Sequence, residues 1–145
     1  MLKEIRWKRV LLAAVLSEAG VIAALLAVIT IYGRLFAPAL TDAQSRELGE
    51  RVGYYVAPTA GAITTFLLVL WVARQLDSAH VANGVMVGAV SVILTSGFLF
   101  MAKPEDRFMY IVAFGLRIAA GYAGGRVAER RFNLRPGRRA EGLAL

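Results

Sequence analysis

Glu18 and Arg117 are ionisable residues set deep inside apolar segments, Glu18 nine positions after Arg9 and Arg117 nine positions before Arg126. At a rise of 1.5 Å per residue, both lie about 13 Å from the basic residues that flank their segments. If the two ends of the chain share one side of a bilayer, the two charges share one depth. A charge at that depth costs about 2.5–3.5 kcal/mol on insertion scales, so it faces protein and takes a partner. Opposite sign and equal depth predict a Glu18–Arg117 ion pair.

Few other residues offer chemistry. The chain has no cysteine and one histidine, His80. That removes disulfides, thiolate nucleophiles and any recognisable set of metal ligands, so neither a metal nor another cofactor is expected. No serine–histidine or paired-carboxylate arrangement supports an enzyme. The net charge of +7 on 145 residues does not indicate nucleic acid, because the positive residues sit beside apolar segments where membrane topology explains them.

The elements that must position the pair follow from hydropathy. Hydrophobic residues make up 58% of the chain, above the roughly 45–50% of soluble domains, and mean hydropathy is +0.59. Four stretches, 10–33, 52–73, 79–101 and 108–127, reach the roughly 20 apolar residues that a span requires. The first, at 24 residues, exceeds the roughly 7–15 of a signal-peptide core and reads as a retained anchor. Thr41 and Gln44 have capping-box spacing and predict a short surface helix near 41–49. Asp77 or Ser78 is placed to cap the third span, and Pro104, Glu105 and Asp106 suit the start of the fourth.

Eleven basic residues fall on one side of such an arrangement (Lys3, Arg6, Lys8, Arg9, Arg74, Arg126, Arg130, Arg131, Arg135, Arg138, Arg139) and five on the other (Arg34, Arg46, Arg51, Lys103, Arg107). The bias puts both termini in the cytoplasm. The expected fold is an all-α membrane protein, an antiparallel four-helix transmembrane bundle. Its parts are a basic N-terminus (1–9), a single four-span domain (10–127) and a basic tail (128–145), in a bacterial inner membrane.

Arg117 shares its helical face with Ala113, Ala120, Gly121 and Gly124, and Gly125 lies slightly further round. Gly84, Gly88, Ser91 and Thr95 align on the third span, Gly61, Thr64 and Thr65 on the second, and Ala13, Ser17 and Gly20 on the first, with Glu18 at the shoulder of that stripe. Two readings stay open. Gly84, Gly88, Gly121 and Gly125 serve close helix packing, or Ser17, Glu18, Thr64, Ser91, Thr95 and Arg117 form a polar path. Pro58 offers a hinge in the second span. Asn83 bonds across helices or holds a ligand, and His80 is expected at the surface. Trp7, Tyr32, Tyr54, Tyr55, Trp71 and Phe108 suit interfacial anchoring. Arg130, Arg131, Arg135, Arg138 and Arg139 suit anionic headgroups or an acidic partner, or serve as a topology determinant that stays solvated.

The run Ala14-Val15-Leu16-Ser17-Glu18 resembles the first helix of the small multidrug resistance transporters. That resemblance implies a proton- and cation-exchanging transporter with Glu18 as the shared site, although the long first loop and Arg117 depart from the family. Gly121-Tyr122-Ala123-Gly124-Gly125-Arg126 within the overall layout is similar to small four-helix bacterial inner-membrane proteins of no assigned function. The expectation is a structural, regulatory or partner-binding membrane protein, with a membrane-protein partner or a homo-oligomer as its setting; a proton- or ion-coupled transporter using Glu18 is the alternative.

Overall fold

A computed structural model describes residues 5–36, 41–76 and 78–133. The described residues form four long helices: α1 (Trp7–Phe36), α2 (Asp42–Ala73), α3 (His80–Met101) and α4 (Arg107–Asn133), with a 3-10 turn over Pro104–Asp106 leading into α4. Each is long and apolar enough to cross a membrane, the most apolar stretches averaging a hydropathy of 2.4, 1.9, 2.0 and 1.3 in chain order. The shortest, α3, has 22 residues and extends about 33 Å, enough for a hydrocarbon core of about 30 Å.

The stretch 41–49 is not a separate surface helix. Thr41 caps α2 through a reciprocal box with Gln44, and the helix continues without a break through Gly49 and Pro58 to Ala73. One glycine costs a helix about 1 kcal/mol. That is too little to end a helix whose backbone bonds continue on both sides and whose exposed face carries an Arg51–Glu47 pair at 2.7 Å. At the start of α3 the N-cap is Ala79, in the left-handed region (φ 56°) and with no side-chain cap bond, so Ser78 does not cap the helix. Asp77 lies outside the described residues. The fourth span runs past 127 to Asn133, which makes the first part of the basic tail helical; Arg135, Arg138 and Arg139 lie outside the described residues.

Burial is unevenly distributed along the helices. On α1 the buried residues are Val10, Ala13, Ala14, Ser17 and Val21, all in its first half. On α2 they are Pro58, Gly61, Thr65, Val69, Val72 and Ala73, all in its second half. On α3 the buried residues run from His80 to Ser91 and on α4 from Arg117 to Ala128. Val10, Ala13, Ala14 and Val87 are fully buried, and Val69 and Val72 nearly so. One end of the bundle is therefore solid.

That end is also tied by polar contacts. The Arg6 backbone N–H donates to Asn83 Oδ1 at 3.0 Å, Asn83 Nδ2 donates to the Ala79 carbonyl at 3.0 Å, and Arg9 donates to the Gln75 carbonyl at 2.5 Å. Asn83 thus bonds across helices. His80 is buried rather than at the surface, its ring 6.0 Å from Phe132 and edge-on to it. Burial follows from the glycine beneath it: a Cβ on Gly125 would lie 2.6 Å from Val81 Cα and 2.9 Å from the His80 carbonyl oxygen, so α4 comes up against the backbone that opens α3.

Candidate functional site

Arg117 sits where the solid half ends. Its backbone is pressed against α3, since a Cβ on Gly88 would lie 2.7 Å from the Arg117 carbonyl oxygen. Side chains on a helix lean toward its N-terminus. The guanidinium therefore reaches along α3 from the level of Gly88 toward Thr95, and Arg117 Nη1 donates to Thr95 Oγ1 at 3.3 Å. Gly61 leaves room for the group on α2: a Cβ there would stand 2.7 Å from Arg117 Nε.

From α1, Glu18 receives both arms of the fork. Arg117 Nη2 donates to Glu18 Oε2 at 3.0 Å, and Nη1 donates to Oε1. This bidentate geometry is the strongest form of a carboxylate–guanidinium pair. Arg117 is 6% exposed, so its charge depends on protein partners for compensation. Among the described residues, α1 and α4 make no Cα–Cα approach within 8 Å, although each packs on both α2 and α3. The pair joins the two helices that otherwise do not meet.

Of the other residues singled out from the sequence, Ser17 Oγ lies 3.0 Å from both Thr64 Oγ1 and Thr65 Oγ1, which ties α1 to α2 next to the pair. Thr64 also donates to the Ala60 carbonyl at 2.8 Å, and Thr95 to the Ser91 carbonyl at 2.8 Å. Ser91 Oγ and Arg117 Nε are buried with no hydrogen-bond partner. These hydroxyls form two separate groups beside the pair and not a continuous chain between the bundle's ends. Gly84, Gly88, Gly121 and Gly125 lie together at the α3–α4 crossing, where Cβ atoms on Gly84 and Gly121 would each run into the other's carbonyl oxygen. Exposed Arg130 and Arg131 close α4. Trp7, Tyr32, Trp71 and Phe108 are exposed near helix ends, whereas Tyr54 and Tyr55 are exposed well inside α2, because that helix starts at Asp42.

Beyond the pair the helices part around a half-enclosed vestibule of about 990 Å³, at the upper end of the roughly 300–1,000 Å³ of small-molecule sites. Glu18, Arg117 and Thr95 line its inner end, and Val21, Ile22, Leu25, Leu94, Phe98 and Phe114 belong to its walls. Pro58 lines it too, at the point where α2 passes from vestibule wall into the solid half. The mouth carries Glu50, Arg51, Lys103, Glu105 and Asp106. Among the described residues, no three His, Asp or Glu side chains gather as a metal site would require.

Sequence reading did not identify Thr65 as Ser17's second partner, Gly61 as the cradle for the guanidinium, or the vestibule. For the first two a signal existed: Gly61 and Thr65 are one helical turn apart on the face that meets α1 and α4. The fold and site define an all-helical protein with four candidate membrane spans and an ion pair at the inner end of a half-enclosed vestibule. The chain matches no known family model, no curated protein and no solved structure.

Proposed function

We propose that this chain is a multi-pass protein of a bacterial inner membrane, its helices antiparallel and both termini cytoplasmic, with a structural or regulatory role that involves binding a partner in the bilayer. The observation that carries the proposal is the Glu18–Arg117 pair, which links α1 to α4 where their backbones do not approach. A bond in that position acts as a staple. The solid half beneath it favours the same reading, since Val10, Ala13, Ala14 and Val87 are fully buried and fill the space a solute would cross. The basic residues at the termini end, including Arg130 and Arg131, would face anionic headgroups, each contributing about 1 kcal/mol.

The second reading, a proton- or ion-coupled transporter, is favoured by one observation: Glu18 faces the vestibule and its side chain is 20% exposed. A transporter must at some stage open the solid half to the other side. Because the chain has no cysteine, a single Val87→Cys reports that opening. In oriented vesicles a membrane-impermeant thiol reagent should leave Val87→Cys unmodified from either side, whereas a vestibule Ile22→Cys reacts or is protected by whatever occupies the space. Modification of Val87→Cys from the side bearing the C-terminus would replace the staple with a transport cycle.

Topology has its own test. A reporter fused after Leu145 should read as cytoplasmic, and one inserted between Ala39 and Leu40 as external. Both on one side would remove the four-span arrangement.

A further inference from the structure

The two ends of the bundle carry different charge. Exposed residues at the termini end are mostly basic, whereas the vestibule mouth combines three carboxylates, Glu50, Glu105 and Asp106, with two cations, Arg51 and Lys103. Between mouth and inner end the walls are aliphatic and aromatic. The inner end itself is charge-neutral, because Glu18 already takes both arms of Arg117. A charged guest would find no free counter-charge there and would lose its hydration, so the deep part of the space suits only an uncharged, apolar guest.

The side of the vestibule is open as well. Between Ile22 and Leu35 no residue of α1 is buried, and before Pro58 none of α2 is, so these two neighbouring helices are loosely packed where they wall the vestibule. A hydrocarbon chain can therefore enter sideways from the bilayer, between α1 and α2, without crossing the mouth. Its headgroup would then lie at a rim where Arg51 is already paired with Glu47, so that Lys103 stands beside the three carboxylates and the rim is acidic.

We propose that the vestibule is a lipid site that holds the acyl portion of a zwitterionic phospholipid, with its ammonium toward Glu50, Glu105 and Asp106 and its phosphate toward Lys103. An anionic phospholipid meets the acidic excess and lacks the ammonium. The site goes beyond the stapling role of the ion pair and does not depend on it: labelling of Val87→Cys would overturn the staple and leave the lipid site untouched.

The test uses the full chain in nanodiscs of equal phosphatidylethanolamine and phosphatidylglycerol with identical acyl chains, and mass spectrometry of the lipid retained after gentle extraction. Both lipids carry the phosphate, so the ammonium contact separates them, and one exposed ion pair should give phosphatidylethanolamine a preference of roughly two- to fivefold. Leu94→Trp, which fills the wall, should lower retention of both lipids. Glu50→Lys with Glu105→Lys, at exposed positions where folding is not at stake, should turn the preference toward phosphatidylglycerol. Equal or greater retention of phosphatidylglycerol by the unaltered chain overturns the proposal, as does a rim variant that leaves the preference unchanged. If Leu94→Trp does not fold, the rim variant decides alone.

Discussion

Glu18→Ala and Arg117→Ala should each lower the yield of folded protein, by an amount corresponding to about 3–5 kcal/mol, the cost of leaving one member of a buried pair without the other. Arg117 should be the worse loss to suffer in its partner's absence, because it is 6% exposed and Thr95 alone cannot neutralise it. Glu18 has an outlet, since it faces the vestibule and retains some exposure. Glu18→Ala, which strands the arginine, is thus expected to be more damaging than Arg117→Ala. A joint Glu18→Leu, Arg117→Met change should recover much of the yield, because two apolar side chains at that depth carry no desolvation debt. Folded yield in mild detergent, read by size-exclusion profile and thermal midpoint, measures the cycle. If the single changes cost nothing, or their effects add in the double mutant, the residues are not coupled and the staple is lost as an explanation. A double mutant that folds but loses solute flux, where flux exists, would favour the transporter.

The level shared by Glu18 and Arg117 was legible in the sequence because helices are metrically regular: nine residues from a basic flank is one depth whichever helix is counted. The helical wheel likewise puts Arg117 among the small residues of α4, and the structure places it against Gly88 and Gly61. The vestibule was not legible. It exists because the glycines at which helices touch lie on one side of the pair, Gly84 and Gly88 on α3 and Gly121, Gly124 and Gly125 on α4, whereas on the other side Gly97 and Gly115 meet nothing within 4 Å and Leu94, Phe98 and Phe114 line open space. Counting small residues per helix identifies a seam; only comparing them at equal depth across helices shows that the seam stops halfway. His80 went astray for the same reason. A lone histidine beside a span end reads as surface until Gly125, 45 residues away in the chain, is known to bring α4 onto it. The short helix expected at 41–49 had its start right, at the Thr41–Gln44 box, but the lone Gly49 weakens a helix without stopping it.

Gly121→Ala should disrupt the bundle more than its one added methyl group suggests. Its Cβ would meet the Gly84 carbonyl oxygen, and Gly84 is backbone on a neighbouring helix, which cannot rotate aside as a side chain can. Overpacking a tight site costs about 1–3 kcal/mol. Here the displacement carries further, because Arg117 lies one turn before Gly121 on the same helix, and separating α3 from α4 draws its guanidinium away from Thr95 and Glu18. The control is internal to the helix. A Cβ on Gly115 would find nothing within 4 Å, so Gly115→Ala should be neutral or should stabilise α4 by about 0.5–1 kcal/mol through reduced backbone entropy in the unfolded chain. In the same detergent the thermal midpoint of Gly121→Ala should therefore fall while that of Gly115→Ala holds or rises, with Gly121→Ala also reducing the difference between wild type and Glu18→Ala when the two changes are combined. Equal midpoints for Gly121→Ala and Gly115→Ala would mean that α3 and α4 do not cross at Gly84 and Gly121, and that the position of Arg117 must be set by something other than this seam.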